Sequence, residues 1–91
     1  MKYTSDPIKR QTILDQRGFD MDRDAPEVFA GKTLTVEDDR KDYGESRFIT
    51  IGRFIGRMVV LVWTPREGER RMISMRKAND REEALYKDRL D

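Results

Sequence analysis

The hydrophobic pattern divides the chain near Gly31. Sparse apolar positions with helix punctuation precede it, and alternating or continuous apolar segments follow it. The opening "MKYTS" is short and reads as an edge strand. "DPIKRQTILDQRG" then has Asp6 as N-cap, Pro7 at the first helical position and Gly18 where a C-terminal cap belongs. Its few apolar residues predict a surface helix. "DAPEVFAG" repeats the logic in miniature, with Asp24 before a turn or two containing Val28 and Phe29, and Gly31 as its end. Beyond Gly31, "KTLTV" alternates as a strand, and "EDDRKDYGE" is a polar loop with the turn residues Asp42 and Gly44.

"SRFITIGRF" alternates so that Arg47, Ile49, Ile51 and Arg53 share one face while Phe48, Thr50 and Phe54 share the other. Gly52 and Gly56 frame a turn, and Gly56 allows a tight reversal. Six consecutive apolar residues, Met58 to Trp63, then predict a central strand buried on both faces. "PREGE" reads as a hairpin loop with Pro65 and Gly68 in turn positions. In the returning "RRMISMRKA", strict alternation puts Met72, Ser74 and Arg76 on one side, and Arg71, Ile73, Met75 and Lys77 on the other. Asn79 to Leu90 closes the chain as a charged helix with Ala84, Leu85 and Leu90 available to pack. Asn79 and Glu82 form its capping box. The expected architecture is α+β: two N-terminal helices, an antiparallel sheet of about four strands and a C-terminal helix.

At 91 residues, with 36% hydrophobic and 41% charged, the chain closes one modest core in a single domain, residues 1–91, under a densely ionic surface. The absence of cysteine removes disulfides and thiolate metal sites and suits a reducing cytosol. No apolar run approaches a membrane span and the first residues carry no signal-like apolar segment, so the expected location is the cytoplasm, with no membrane partner.

The net charge of +1 conceals an uneven distribution. Residues 20–45 hold nine acids against four bases, a net of −5, and residues 46–81 hold nine bases against three acids, a net of +6. Either the halves neutralise each other across the fold, or the basic half meets an external anion. The stretch "ERRMISMRKAND" sharpens that choice. Arg76 and Lys77 stand just before a helix N-terminus, whose partial positive charge repels cations. With Glu82 occupied in capping, the sequence leaves these cations under-compensated.

No histidine is present, which removes the commonest general base and metal ligand together, and no glycine-rich phosphate loop opens a helix. Glu37, Asp38, Asp39 and Asp42 are either oxygen ligands for a divalent cation or a solvated acidic loop, and the expectation here is no metal and no cofactor. Trp63 and Tyr43 either stack on bases or pack in the core. What remains is a cation-rich sheet with nearby carboxylates, which supports RNA cleavage. That reaction needs a proton acceptor for the 2′-hydroxyl and cations to stabilise charge on phosphorus. Arginine meets phosphate bidentately, and a lysine crowded by arginines exchanges its proton more readily. Arg47, Arg53, Arg76 and Lys77 fit the cationic roles if adjacent strands bring them together, and are otherwise solvated or paired with the acidic half; with Glu45 beside Arg47, the candidate catalytic residues are Glu45, Arg47, Arg76 and Lys77. Arg17, Arg53, Arg57 and Tyr43 are candidates for holding RNA.

"DYGESRFITIGRF", followed by "RMVVLVWT", "RRMISMRKAND" and "REEALY", resembles the BrnT family of type II toxins. Gly44, Glu45 and Arg47 match that family's "GE-x-R", and Ser74 to Ala78 match its "S-[AM]-R-K-A" segment. The N-terminal "SDPIKRQTILDQRGFDM" resembles the family's opening, with Ser5 in place of its tryptophan, Ile13 in place of its asparagine, and Gln16, Arg17 and Gly18 in place of "KHG". The resemblance implies a RelE-like fold and ribonuclease activity that arrests translation. It also implies a BrnA antitoxin with a ribbon-helix-helix domain, forming a heterotetramer that binds operator DNA only through the antitoxin; the alternative to catalysis is a module that binds antitoxin or nucleic acid through the same cations and acts in operon autorepression.

Overall fold

The apolar run Met58–Trp63 forms the middle of the molecule. The structure is a computed structural model that describes residues 1–91. Its strands are β1 (Tyr3–Ser5), β2 (Leu34–Glu37), β3 (Phe48–Phe54), β4 (Arg57–Arg66) and β5 (Glu69–Lys77), and its helices are α1 (Pro7–Arg17), α2 (Met21–Ala30) and α3 (Asp80–Leu90). They form one sheet of order β1-β5-β4-β3-β2, so β4 is central. The α+β class expected from the sequence is the one observed. The expected meander of about four strands is corrected to five, with β1 running parallel to β5 and every other pair antiparallel.

β4 is buried on both faces, as its unbroken apolar run requires. Val59 and Leu61 enter a core with Ile13, Phe19, Met21, Ala25, Val28, Phe54, Met72 and Met75 beneath α1 and α2. Met58 and Val60 enter a smaller core with Ile51, Ala78 and Leu90 beneath α3. Each fully buried side chain of this size contributes roughly 1.5–3 kcal/mol over exposure.

Two expectations about faces fail for identifiable reasons. Val62 pairs with Ser74 but Trp63 pairs with Met72, so Ile73 is an extra residue and β5 bulges. Met72 therefore joins Met75 in the α1–α2 core, while Ser74 and Arg76 face α3. In α3, Ala84 and Leu85 are exposed, Leu85 by 64%, and Tyr86 packs beside Leu90 instead.

Helix ends mostly follow the local signals. Asp6 accepts from the Lys9 N–H at 2.9 Å, and Gly18 closes α1 at φ 78°. α2 begins four residues before the expected point: Asp20 is the cap, and Asp24 lies inside the helix, where its carboxylate accepts from the Asp20 N–H at 2.8 Å. The longer helix buries Met21, Ala25 and Val28 as one stripe, which outweighs the hydrogen bond lost at Pro26. Arg10 donates to Asp20 at 2.7 and 3.0 Å, and that contact holds the Asp20 carboxyl below the usual carboxylate range.

Both β-hairpins turn through two residues of positive φ: Ile55 (49°) with Gly56 (77°), and Glu67 (53°) with Gly68 (78°). Pro65, expected in the second turn, instead lies within β4 opposite Arg70. For Ile55 the left-handed conformation costs roughly 1–2 kcal/mol, because Cβ crowds the following carbonyl. Gly52 does not frame a turn either. It lies inside β3, where an added Cβ would stand 2.6 Å from Val28 Cγ1 and 3.1 Å from Thr33 Cγ2.

Gly52→Ala is expected to destabilise the fold by about 1–3 kcal/mol in urea unfolding, because α2 must lift off β3. Adding Val28→Ala should make Gly52→Ala less costly than it is in the parent, and an equal cost in both backgrounds would refute this packing account. A second expectation concerns acid. The depressed Asp20 carboxyl stabilises the fold above about pH 4 and loses that contribution as pH falls through its folded value. Asp20→Asn, which keeps a capping oxygen, should flatten the acid limb of a Tm-against-pH profile.

Candidate active site

Arg76 leaves β5 on the α3 side and lines the roomiest cleft of the molecule, about 530 Å³. The floor is apolar, formed by Ile49, Ile51, Val60 and Val62, and the walls carry Arg40, Arg76, Arg81, Asn79, Glu82 and Tyr86. β3 and β4 supply the floor because their alternation turns these four residues toward α3. The wall residues arrive from three segments: the loop after β2, the end of β5, and the first turns of α3.

The anion missing from the sequence is Glu82. Arg76 donates from Nη1 to Glu82 Oε1 at 2.8 Å and from Nη2 to Oε2 at 2.9 Å. Glu82 Oε1 also accepts from the Asn79 N–H at 2.9 Å, while Asn79 Oδ1 accepts from the Glu82 N–H at 2.8 Å. Capping was expected to exhaust this carboxylate. A carboxylate has about four lone-pair positions, so it serves the cap and the guanidinium together. The hydrogen bond from Arg76 holds Glu82 below the usual carboxylate range, against the opposing effect of burial. In return Glu82 raises the Arg76 pKa, and the charge of Arg40 across the cleft works against that rise.

Lys77 has no carboxylate partner and leaves β5 on the opposite face, opposite Val59. Near it on that face, Arg57 sits 5.5 Å from the Phe19 ring centre and Arg17 Nη1 donates to the Met75 carbonyl at 3.2 Å. Arg17 and Arg57 also lack ionic partners within 4.0 Å; the three cations thus gather at one end of the sheet. Arg53 lies apart, donating to Asp91 at 2.7 and 3.1 Å.

Glu45, Arg47 and Tyr43 share a corner at the other end of β3. The Arg47 guanidinium lies 3.9 Å from the Tyr43 ring centre, and its buried Nε has no hydrogen-bond partner, since Glu45 stands 4.0 Å away. Glu45 also accepts from Arg66 at 3.1 Å. From the same corner the Tyr43 hydroxyl donates to Asp38 at 3.4 Å, and Asp38 accepts from Arg40 at 2.8 and 2.9 Å. The corner therefore braces the loop that delivers Arg40 to the cleft. With Asp38 turned onto Arg40, the acids of this loop do not converge on a metal-binding arrangement.

Trp63 is held by its neighbours. It stacks on Phe48 with centroids 5.1 Å apart, meets Phe29 edge-on at 5.8 Å, and donates from Nε1 to Thr50 at 2.8 Å. Of the eight candidate residues, the cleft receives only Arg76. Sequence reasoning missed Arg40, Arg81, Glu82 and Tyr86 as site residues. The spacing of Glu82 and Tyr86, four apart on one helix face, was the available signal for two of them.

A guanidinium-lined cleft with an apolar floor can bind a phosphate and the base attached to it. No helix is long and apolar enough to cross a membrane. A search of curated proteins finds no match. A family model described as the ribonuclease toxin BrnT of a type II toxin-antitoxin system matches residues 6–82, most of the chain. The chain belongs to the BrnT family of ribonuclease toxins, whose type II systems pair the toxin with an antitoxin.

Proposed function

We propose that the 91 residues act as one toxin domain in the cytoplasm, cleaving RNA without a metal ion in the cleft beneath α3 and so arresting translation. The observation that carries this reading is the exchangeable pair Arg76–Glu82. At rest Glu82 occupies Arg76 through two hydrogen bonds. An RNA phosphodiester offers the same bidentate geometry and single charge, gains charge as phosphorus becomes pentacovalent, and finds Arg40 and Arg81 as further cations in the same cleft. Phosphate taking over Arg76 frees the Glu82 carboxylate beside the substrate to accept the 2′-hydroxyl proton as the 2′-oxygen bonds to phosphorus; the P–O5′ bond breaks, and the leaving 5′-oxygen takes a proton from solvent. Arg76 meanwhile stabilises the charge that develops on the phosphorus oxygens.

Six of the remaining candidates have supporting roles in this scheme, and Arg53, held by Asp91, has none. Glu45, Arg47 and Tyr43 position Arg40, and Lys77, Arg57 and Arg17 receive flanking phosphates at the end of the sheet. The antitoxin is BrnA-like, with a ribbon-helix-helix domain, and its dimer joins two toxins in a heterotetramer that reaches operator DNA through the antitoxin.

Arg76→Ala should remain folded and lose about a hundredfold or more in cleavage of an RNA oligonucleotide, corresponding to roughly 2.7–4 kcal/mol. Glu82→Gln keeps a capping side chain yet should lower kcat without weakening RNA binding, because the competing carboxylate is gone. Full activity in either variant would remove that residue from the mechanism.

Cleavage should also survive EDTA, and complete loss on chelation would exclude the metal-free scheme. RNA binding should weaken steeply with salt, by a log–log slope of about 0.7 for each phosphate neutralised, and Lys77→Ala should remove about one such contact.

A further inference from the structure

The tip of the β3–β4 hairpin breaks two physical rules at once. Ile55 has φ of 49°, a region where a β-branched side chain is a clear outlier, and its side chain is 80% exposed. Asparagine or glycine would make the same turn without strain and without an aliphatic group in water. Neither core uses Ile55, since Phe54 and Met58 on either side of the turn supply the packing. Strain that no internal contact repays points outward.

The surroundings describe what Ile55 meets. Arg57 is two residues away, and the Ala78 N–H donates to the Met58 carbonyl at 2.9 Å, which draws the end of β5 and its Lys77 alongside. Arg17 reaches the same strand through the Met75 carbonyl at 3.2 Å. These three cations have no carboxylate within 4.0 Å, so the tip is an aliphatic knob within an uncompensated positive surface. A bare RNA strand is a poor match for its centre, because bases stack on aromatic rings and Ile55 offers none. A protein with an apolar socket ringed by carboxylates matches both the knob and its surroundings.

We propose that the β3–β4 hairpin tip is the anchor for the antitoxin, with Ile55 filling an apolar socket and antitoxin carboxylates covering Arg17, Arg57 and Lys77. This rests on the reading above that RNA reaches those cations, so the docked antitoxin shuts RNA out by occupying them. Ile55 itself takes no part in cleavage.

The test uses the 91-residue chain and its cognate antitoxin, with Kd measured by calorimetry. Ile55→Asn should raise Tm by a few degrees, leave the RNA cleavage rate unchanged, and weaken antitoxin binding about 30-fold, the loss typical of a buried anchor. Ile55→Gly, which also accepts positive φ, should show the same weakening. Antitoxin Kd for the parent should rise with salt. Unchanged antitoxin Kd in both variants overturns the proposal. So does a variant that loses RNA binding while keeping the antitoxin, which would make the tip an RNA surface. A parent chain that cleaves no RNA counts against the cleavage reading alone, since the Kd comparison needs no turnover.

Discussion

Burial of β4 on both faces is the constraint from which the other arrangements follow. A strand with no wet face needs a layer on each side, and this small chain covers one with α1 and α2 and the other with α3. The two layers are unequal. The α1–α2 side holds the larger core, whereas α3 contributes mainly Tyr86 and Leu90 and leaves an open cleft over Ile49, Ile51, Val60 and Val62. The thin layer is where a cleft has room.

The bulge at Ile73 settles which side chains reach that cleft. Without the extra residue, Met72 would stand among Ser74 and Arg76, and the cleft would receive a methionine from the larger core. With it, Met72 and Met75 both turn to α1 and α2, and Arg76 keeps its place on the α3 side. A one-residue irregularity thus separates a packing face from a charged one on a single strand.

Glu82 then couples the stability of α3 to the charge state of the cleft. The same carboxylate closes the capping box and neutralises Arg76, with Oε1 shared between the Asn79 N–H and the guanidinium. The acidic loop after β2 works similarly: Asp38 absorbs much of the charge of Arg40 while placing its guanidinium toward the cleft. Between the acidic and basic halves of the chain the ion pairs run only through Glu45, to Arg47 and Arg66, while Lys77, Arg57 and Arg17 have no carboxylate within 4.0 Å at one end of the sheet.

The sequence alone determined what depends on near neighbours. Asp6, Pro7 and Gly18 bound α1, Asn79 and Glu82 cap α3, Gly56 turns the first hairpin, and the unbroken run from Met58 to Trp63 marks a strand covered twice, because each feature is set by a few adjacent residues. The charge asymmetry and the family motifs were equally legible, being properties of composition and order. Only the tertiary structure decided the rest. The parallel docking of β1, the start of α2 at Asp20, the bulge at Ile73 and the inward turn of Tyr86 in place of Leu85 arise where distant segments compete for the same buried space. The site divided for the same reason: Arg76 and Lys77 are adjacent in sequence yet leave β5 on opposite faces. Their neighbours come from α3, from the β2–β3 loop and from α1, which chain order keeps apart and folding brings together.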